Sequence, residues 1–276
     1  MLTDYHTHTP LCLHAEGKPV EYARAAMAAG LAEIGLSDHN PMPEFFDDWR
    51  MLIADFPKYL EWVEEAKLEL PDFPIRLALE CDYLEGQEGW IETTTGLAEW
   101  DYLIGSVHYI SKGCAVDDPK HLSRWKSPAD IEEMWTAYWR LYEGCIRSRM
   151  FDFHAHPDLA KRFGLRPSGD LRRYYEPVIQ ALVDTGGIME VSTAGLRKDV
   201  REIYPAREML EMAFAGGVPI VINSDAHKPG DVGADFDKAL QLVRSVGYTS
   251  TVRFKGRVRE IVPLPVSWPQ LPQNRP

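Results

Sequence analysis

The sequence predicts an α/β fold in which short parallel strands alternate with helices, as a barrel or as a doubly wound sheet. Along the 276 residues, short apolar runs alternate with longer amphipathic stretches. Seven such repeats favour a parallel sheet. Histidines and carboxylates follow the ends of these apolar runs, which is where the active face of a parallel α/β fold lies.

The predicted strands are the seven apolar runs, and helix-like stretches separate most of them. The strands span residues 2–6, 33–37, 74–80, 101–107, 150–154, 187–191 and 218–223. The helices lie near residues 18–29, 48–68, 127–147, 168–184, 203–215 and 231–246. Residues 250–263 are expected to add one or two short strands. Because no linker or repeat interrupts this pattern, residues 1–265 are predicted to form a single domain, with an irregular tail at 266–276.

Two helices carry local signals. One starts after Ser127, a preferred N-cap residue, with Pro128 in the first turn and Asp130 two residues later. The helix near 168–184 contains Pro177, which predicts a kink or a break because proline has no backbone N–H.

Composition excludes several classes of protein. Hydrophobic residues make up 45% and charged residues 26%, as in ordinary globular proteins. The net charge of −12 argues against non-specific nucleic-acid binding, which needs Lys and Arg on phosphates. No apolar run is long enough for a transmembrane helix, and no secretory signal is expected. The four cysteines are widely spaced, which predicts no disulfide framework and a cytoplasmic location.

The placement of the nine histidines is the most informative feature. Eight of them lie at or just after a predicted strand end: His6, His8, His14, His39, His108, His154, His156 and His227. Carboxylates occupy the same kind of position: Asp4, Asp38, Glu80, Asp82, Glu190 and Asp225. Imidazole and carboxylate groups together are typical ligands of Zn, Mn or Fe.

Spacing within these segments supports a metal site. His6 and His8 are two residues apart on a strand, so both side chains point to one face. Asp225 and His227 repeat that spacing near the other end of the chain. Glu80 ends an apolar run, and a buried carboxylate needs a metal ion or a cation as its partner. Each pattern alone also fits hydrogen-bonded polar residues, but their combination favours metal binding.

A second pair of histidines leaves its roles open at this level. His154 and His156 are two residues apart, so one can be a ligand while the other orients it. Spacing alone does not decide between them.

Seven segments resemble the successive motifs of the polymerase-and-histidinol-phosphatase (PHP) superfamily, and more closely its histidinol-phosphatase branch. They read DYHTHTPLCLH, GLSDHN, ALECDYL, GSVHYI, AHPDL, STAGLRK and INSDAHKPGDVG. The resemblance extends over about residues 1–260. It implies a distorted (β/α)7 barrel with three metal ions at the carboxyl ends of the strands.

The resemblance also implies which residues bind these ions. The first ion would be held by His6, His8, Glu80 and Asp225. The second would be held by Glu80, His108 and His156, with Glu80 bridging. The third would be held by His14, His39 and His227. The ligand types suit Zn, Mn or Fe, and Zn is favoured without being fixed.

The activity implied by the resemblance is hydrolysis of L-histidinol phosphate to L-histidinol and phosphate in histidine biosynthesis. A metal-bridging water is expected to attack phosphorus in line, and Glu80, Asp225 and Arg197 are the expected catalytic residues. Arg197 is expected to bind the phosphate through two hydrogen bonds, with Lys198 and Lys228 as further candidates. The small phosphate ester is the expected partner, rather than nucleic acid or a membrane.

The loop after His39 is a candidate pocket for the amine and imidazole of such a substrate, although an ordinary loop is the simpler interpretation. Its acidic and aromatic residues are Glu44, Phe45, Phe46, Asp47 and Trp49.

Three other functions stay open. A phosphatase of the same fold acting on sugar or nucleotide phosphates would use the same ligands. An amidohydrolase-type barrel also begins with His-x-His, but that class commonly uses a bridging lysine where Glu80 stands here. A metal-binding protein without catalytic activity is disfavoured by the complete ligand set.

Overall fold

A curled sheet of six parallel strands forms the centre of the molecule, as seen in a computed structural model that describes residues 2–268. Among these residues the strands are β1 (Ile34–Leu36), β2 (Ile75–Asp82), β3 (Tyr102–Ser106), β4 (Tyr109–Ser111), β5 (Cys114–Ala115), β6 (Phe153–His154), β7 (Met189–Ser192), β8 (Ile220–Asn223), β9 (Ser250–Lys255) and β10 (Val258–Pro263). The helices are α1 (Pro19–Ala28), α2 (Phe56–Glu69), α3 (Glu88–Thr95), α4 (Pro128–Arg147), α5 (Arg172–Thr185), α6 (Arg207–Ala215) and α7 (Phe236–Val246). Of the predicted tail, residues 269–276 lie outside this description.

The order of strands in the sheet is β1-β2-β3-β6-β7-β8, and each neighbouring pair is parallel. The predicted alternation of strands and helices is therefore confirmed. Parallel strands joined by helices bring their carboxyl ends to one side of the sheet, so the polar residues that follow these strands meet there.

The segment predicted as the first strand, residues 2–6, joins the two edges of this sheet. It is not a continuous strand, because its pairing alternates between two neighbours. Asp4 forms a parallel bridge with Ile34 of β1, and Thr7 forms one with Ala226 just after β8. Six strands and this segment together correspond to the distorted (β/α)7 barrel that the family resemblance implies.

Aromatic side chains fill the barrel at the end opposite to the polar cluster. The rings of Tyr5 and Tyr102 lie 4.9 Å apart, and Phe254 of β9 contacts Tyr5 and Phe153 at 5.8 and 5.7 Å. The antiparallel hairpin of β9 and β10, predicted as one or two extra strands, thus covers this end. The barrel interior is accessible from the other end.

Helices α4 and α5 pack against each other on the outside of the sheet. Helix α4 starts as predicted: the Ser127 hydroxyl accepts from the Asp130 amide at 3.2 Å, and the Asp130 carboxylate accepts from the Ser127 amide at 2.9 Å. Helix α5 runs continuously through Pro177, so of the predicted kink or break the break is wrong. Contacts such as Trp135 with Tyr174 hold this helix against α4, which offsets the single N–H that proline lacks.

Four helices begin later than predicted, and the intervening residues form loops and short turns that follow the strands. Helices α2, α5, α6 and α7 start at Phe56, Arg172, Arg207 and Phe236 rather than near residues 48, 168, 203 and 231. Helix α3 and the short β4–β5 hairpin had no clear signal in the sequence. Within the described residues, no helix has the length and apolar character needed to cross a bilayer.

Candidate metal centre

Glu80 lies at the centre of a cluster of histidines at the open end of the barrel. Its side chain is 1% exposed. Five imidazole nitrogens approach its two oxygens, at 3.3 Å for His6, 3.6 Å for His8, 2.9 Å for His39, 3.7 Å for His108 and 3.1 Å for His156. One carboxylate thus faces five imidazoles from four segments of the chain.

The position of Glu80 follows from the period of its strand. Ala78, Glu80 and Asp82 alternate along β2, so they point to the same side of the sheet. Ala78 belongs to the apolar cluster inside the barrel. Glu80 and Asp82 come after it, toward the carboxyl end, where the neighbouring strands supply polar partners. The interior face of β2 therefore changes from apolar to acidic along its length.

The carboxylate of Asp225 lies beside Glu80 and is also surrounded by histidines. Its Oδ1 atom lies 3.3 Å from Nε2 of His8, 3.8 Å from Nε2 of His6 and 3.4 Å from Nδ1 of His227. His14, His39 and His227 form a third group whose candidate ligand atoms all lie within 4.8 Å of one another. The structure thus brings together all nine predicted ligands: His6, His8, His14, His39, Glu80, His108, His156, Asp225 and His227.

Further carboxylates contact the ring nitrogens of these histidines that face away from Glu80. Nδ1 of His6 lies 2.9 Å from Glu190, and Nδ1 of His108 lies 2.7 Å from Asp82. Such contacts fix the ring orientation and leave the Nε2 atoms directed at Glu80. Glu190 also accepts a hydrogen bond from the backbone N–H of His156 at 2.5 Å.

Asp4 has a different role from these carboxylates. It accepts hydrogen bonds from the backbone N–H groups of Ser224 and Gly233, both at 3.0 Å, and from the Ser224 hydroxyl at 2.5 Å. It thereby positions the loop after β8, which carries Asp225.

The cluster shifts the pKa values of its members in opposite directions. Burial alone would raise the pKa of Glu80, but the nearby imidazoles of His6, His39 and His108 hold it well below its usual value. Burial likewise opposes ionisation of Asp225, yet His6 and His8 keep its pKa well below the ordinary range. Both carboxylates are therefore ionised acceptors at neutral pH.

Several buried atoms of this cluster make no hydrogen bond of suitable geometry within residues 2–268, although charged groups lie close to them, as Glu80 does to His39. They are Nε2 of His6, both ring nitrogens of His8, Nδ1 of His39, Nδ1 of His156 and Oε2 of Glu80. Buried polar atoms are rarely left unpaired, because desolvating them is costly. Nitrogen and carboxylate-oxygen donors arranged in this way fit divalent ions such as Zn, Mn or Fe.

The structure separates the two neighbouring histidines. His156 faces Glu80, whereas His154 points away, with its Nδ1 3.7 Å from the Cys145 sulfur and its ring near Tyr142 and Phe151. Burial lowers the pKa of His154 to about 3, so its ring is neutral.

The backbone at two cluster residues is strained. His156 has φ +23° and Asp225 has φ +52°, backbone angles that residues other than glycine rarely adopt. Such conformations concentrate at functional sites.

A cavity of about 670 Å³ lies above the cluster. The three predicted cations, Arg197, Lys198 and Lys228, all line it. One Arg197 nitrogen donates to the Ser224 carbonyl at 2.5 Å, and its Nε lies 3.7 Å from Asp231. These contacts hold the guanidinium at the cavity wall.

Sequence reasoning missed several residues of this wall. They are Asp48, Asp117, Asp118, Lys120, Arg162 and Tyr204. All of them lie in loops or short turns rather than directly at a strand end, so periodicity carried no signal for them.

Of the five loop residues suggested after His39, Trp49 lines this cavity. Its ring lies edge-on to His39 at 4.8 Å and to His108 at 5.2 Å, and stacks on Tyr109 at 5.6 Å. The other four residues lie elsewhere. Glu44, Phe45 and Phe46 line a separate cavity of about 600 Å³, and Asp47 accepts hydrogen bonds from Tyr109 and Arg50.

Comparison with known proteins accounts for this arrangement. The model of the PHP domain family matches residues 4–194. The chain belongs to the PHP domain family. A protein of Deinococcus radiodurans named "Probable histidinol-phosphatase" is 39% identical over 258 residues, which cover 93% of this chain and 97% of that protein. The "Histidinol-phosphatase" of Bacillus subtilis is 28% identical, covering 86% of this chain and 98% of its own.

A solved PHP-type structure has the same fold. The crystal structure of histidinol phosphate phosphatase from Lactococcus lactis, complexed with Zn, L-histidinol and phosphate, aligns with a TM-score of 0.79 at 21% identity. The alignment covers 94% of this chain and 98% of that one. The fold prediction is thereby confirmed over nearly the whole PHP-type barrel.

Proposed function

We propose that this PHP-domain protein hydrolyses L-histidinol phosphate to L-histidinol and phosphate, a step of histidine biosynthesis. The observation that carries the proposal is one cavity that combines an imidazole and carboxylate cluster with a basic wall. The relatives named as histidinol-phosphatases, from D. radiodurans and B. subtilis, support the choice of substrate.

The nine clustered residues are proposed to hold three divalent ions, Zn, Mn or Fe. His6, His8, Glu80 and Asp225 would hold the first. Glu80, His108 and His156 would hold the second, and His14, His39 and His227 the third. The unpaired buried atoms of this cluster support the assignment, because ligation would satisfy them. When bound, such ions would neutralise charge on the phosphoryl oxygens and activate a water for attack on phosphorus.

The protein's own groups are proposed to orient the ligands and the ester. Glu80 and Asp225 act as catalytic carboxylates by holding the ions, and their lowered pKa values keep them ionised. Glu190 and Asp82 fix the rings of the histidines in front of them. The Arg197 guanidinium binds the phosphate, since its Nη1 atom is buried at the cavity wall without a hydrogen-bond partner in residues 2–268. Lys198 and Lys228 add positive charge to the same wall.

The organic part of the substrate is proposed to lie against Trp49. L-Histidinol carries an ammonium group and an imidazole ring. An indole face can contact both, through cation–π and ring–ring interactions. The carboxylates of Asp48, Asp117 and Asp118 line the same cavity and suit an ammonium group.

The remaining proposals concern the chain as a whole. We infer that residues 1–265 act as one domain and that the protein works in the cytoplasm on a small phosphate ester. The net charge of −12 supports this choice of partner over nucleic acid. The four cysteines are buried free thiols, which suits a reducing compartment.

Phosphate release from L-histidinol phosphate tests the proposed function. It should be measured beside sugar, nucleotide and amino-acid phosphates, with elemental analysis of the same sample. We expect L-histidinol phosphate to be strongly preferred, chelator dialysis to abolish activity, and metal add-back to restore it. Broad and weak activity would move the substrate to another small ester. No release from a metal-replete sample would contradict a phosphatase.

The two histidines after β6 offer a matched pair of variants. His156→Ala is expected to lower bound metal and to reduce kcat/KM by about 100-fold or more, as loss of several kcal/mol of charge stabilisation would. His154→Leu should keep metal content and activity within about threefold, because its ring lies in apolar surroundings away from Glu80. Metal loss in His154→Leu with full metal in His156→Ala would reverse the assignment.

A further inference from the structure

The hydroxyl of Tyr204 has no hydrogen-bond partner among residues 2–268, although the side chain is buried. Tyr204 is 1% exposed and lines the cavity above the metal cluster. Other buried tyrosines behave differently: Tyr59 donates to the Leu36 carbonyl at 2.7 Å, and Tyr142 donates to the Ala155 carbonyl at 2.9 Å. An unpaired buried hydroxyl at a cavity wall points to a partner that enters the cavity.

The backbone fixes the position of this ring. Tyr204 and Ser192, at the end of β7, exchange two backbone hydrogen bonds of 2.7 and 3.0 Å. Gly195 makes room for the ring, because a Cβ there would lie 3.0 Å from two ring carbons and 2.0 Å from the Glu202 carbonyl. The Lys161 ammonium lies 5.5 Å from the ring centroid. The hydroxyl is therefore held in place before any ligand binds.

The same wall carries a second unpaired donor. Nη1 of Arg197 is also buried without a partner in the described part of the chain, and Arg162 lines the cavity as well. Burial raises the pKa of Tyr204, so its hydroxyl keeps its proton at neutral pH and can donate. Two buried donors and further positive charge on one wall suit an oxyanion.

We propose that the Tyr204 hydroxyl donates a hydrogen bond to a non-bridging oxygen of the substrate's phosphate group. A non-bridging oxygen is assigned because Tyr204 shares its wall with Arg197, whose guanidinium is suited to those oxygens. This inference rests on the proposed phosphatase function. It adds a hydrogen-bond donor to the phosphate group that acts on every ester, whatever alcohol the phosphate is attached to.

The test compares Tyr204→Phe with Tyr248→Phe. Tyr248 is a matched control, because its hydroxyl donates to the Val218 carbonyl at 3.1 Å and it does not line the cavity above the cluster. Two esters should be assayed with metal-loaded protein: L-histidinol phosphate and p-nitrophenyl phosphate. Binding of inorganic phosphate, measured by calorimetry, gives a readout that does not require turnover.

For Tyr204→Phe we expect kcat/KM to fall roughly 10- to 100-fold for both esters by the same factor, and phosphate Kd to rise by about tenfold or more. Its Tm should be unchanged, since no partner within the protein is lost. Tyr248→Phe should retain activity and lose about 2–4 °C in Tm.

Three results would overturn the proposal. They are unchanged kcat/KM and phosphate Kd in Tyr204→Phe, a loss restricted to the alkyl ester, and a fall in Tm as large as that of Tyr248→Phe. The first would mean no contact with phosphate, the second a contact with the leaving oxygen, and the third a partner inside the protein. Failure of the proposed function is distinguishable, because it would appear as absent turnover in the wild type.

Discussion

Glu80→Gln is expected to lower kcat/KM for L-histidinol phosphate by at least about a thousandfold, with a parallel loss of bound metal. The amide keeps the size of the side chain but removes the negative charge that five imidazoles surround. One of its two oxygens also becomes an NH2 group, which cannot act as a ligand. Steady-state kinetics with elemental analysis of the same preparation would measure both effects.

Glu85→Gln is the matched control for this substitution. Glu85 lies shortly after β2 but is exposed and pairs with Arg140 at 2.9 Å. Exposed ion pairs contribute little, so activity and metal content should stay close to those of the wild type. Near-normal activity and metal in Glu80→Gln would contradict the proposed bridging role of Glu80.

Lys161→Met is expected to destabilise the protein by about 3–5 kcal/mol, the largest effect on stability among the variants considered. Lys161 is fully buried, and its ammonium lies 2.9 Å from Asp158, 3.3 Å from Glu202 and 3.0 Å from the Ile203 carbonyl. The substitution leaves the buried Asp158 carboxylate without its closest cation. Urea unfolding followed by circular dichroism measures the change in the free energy of unfolding.

Two further variants identify the cause of such a loss. The double variant Lys161→Met with Asp158→Asn should be more stable than Lys161→Met alone, because no unpaired charge remains buried. Lys238→Met removes the exposed partner of Asp235 and should change stability by less than about 1 kcal/mol. Equal losses in the single and double variants would mean that packing, not charge, determines the effect.

That the nine histidines and carboxylates would lie together could be predicted from the sequence because they stand near strand ends. Glu80, His108 and Asp225 each lie within two residues of the end of a buried strand, and for Glu80 the period of two along β2 determines the side that it faces. Because the strands are parallel, their carboxyl ends and the residues that follow them lie on one side of the sheet. The family resemblance was needed to choose His156 over His154. The two histidines are two positions apart, so spacing does not distinguish them, and the turn after β6 determines which one faces inward.

Residues in the loops could not be placed in the same way. Arg162 and Tyr204 come several residues after a strand, where side-chain direction depends on turns and on contacts such as the Ser192–Tyr204 pairing. The sequence indicated Trp49 as a pocket residue only together with four neighbours, and those four do not line the cavity above the cluster. The unbroken path of α5 through Pro177 reflects tertiary packing against α4, which local propensity does not contain.

The joining of the sheet edges by residues 4–8 has a consequence for the order of events during folding. Asp4 binds Ser224 across a sequence separation of 220 residues, and the segment carrying His6 and His8 pairs next to Ala226. Contacts between such distant residues form slowly, since a long loop must close first. During synthesis on the ribosome, the first histidines of the chain can therefore reach their final contacts only after nearly all of the remaining chain has been made. The nine predicted ligands can come together only after that closure.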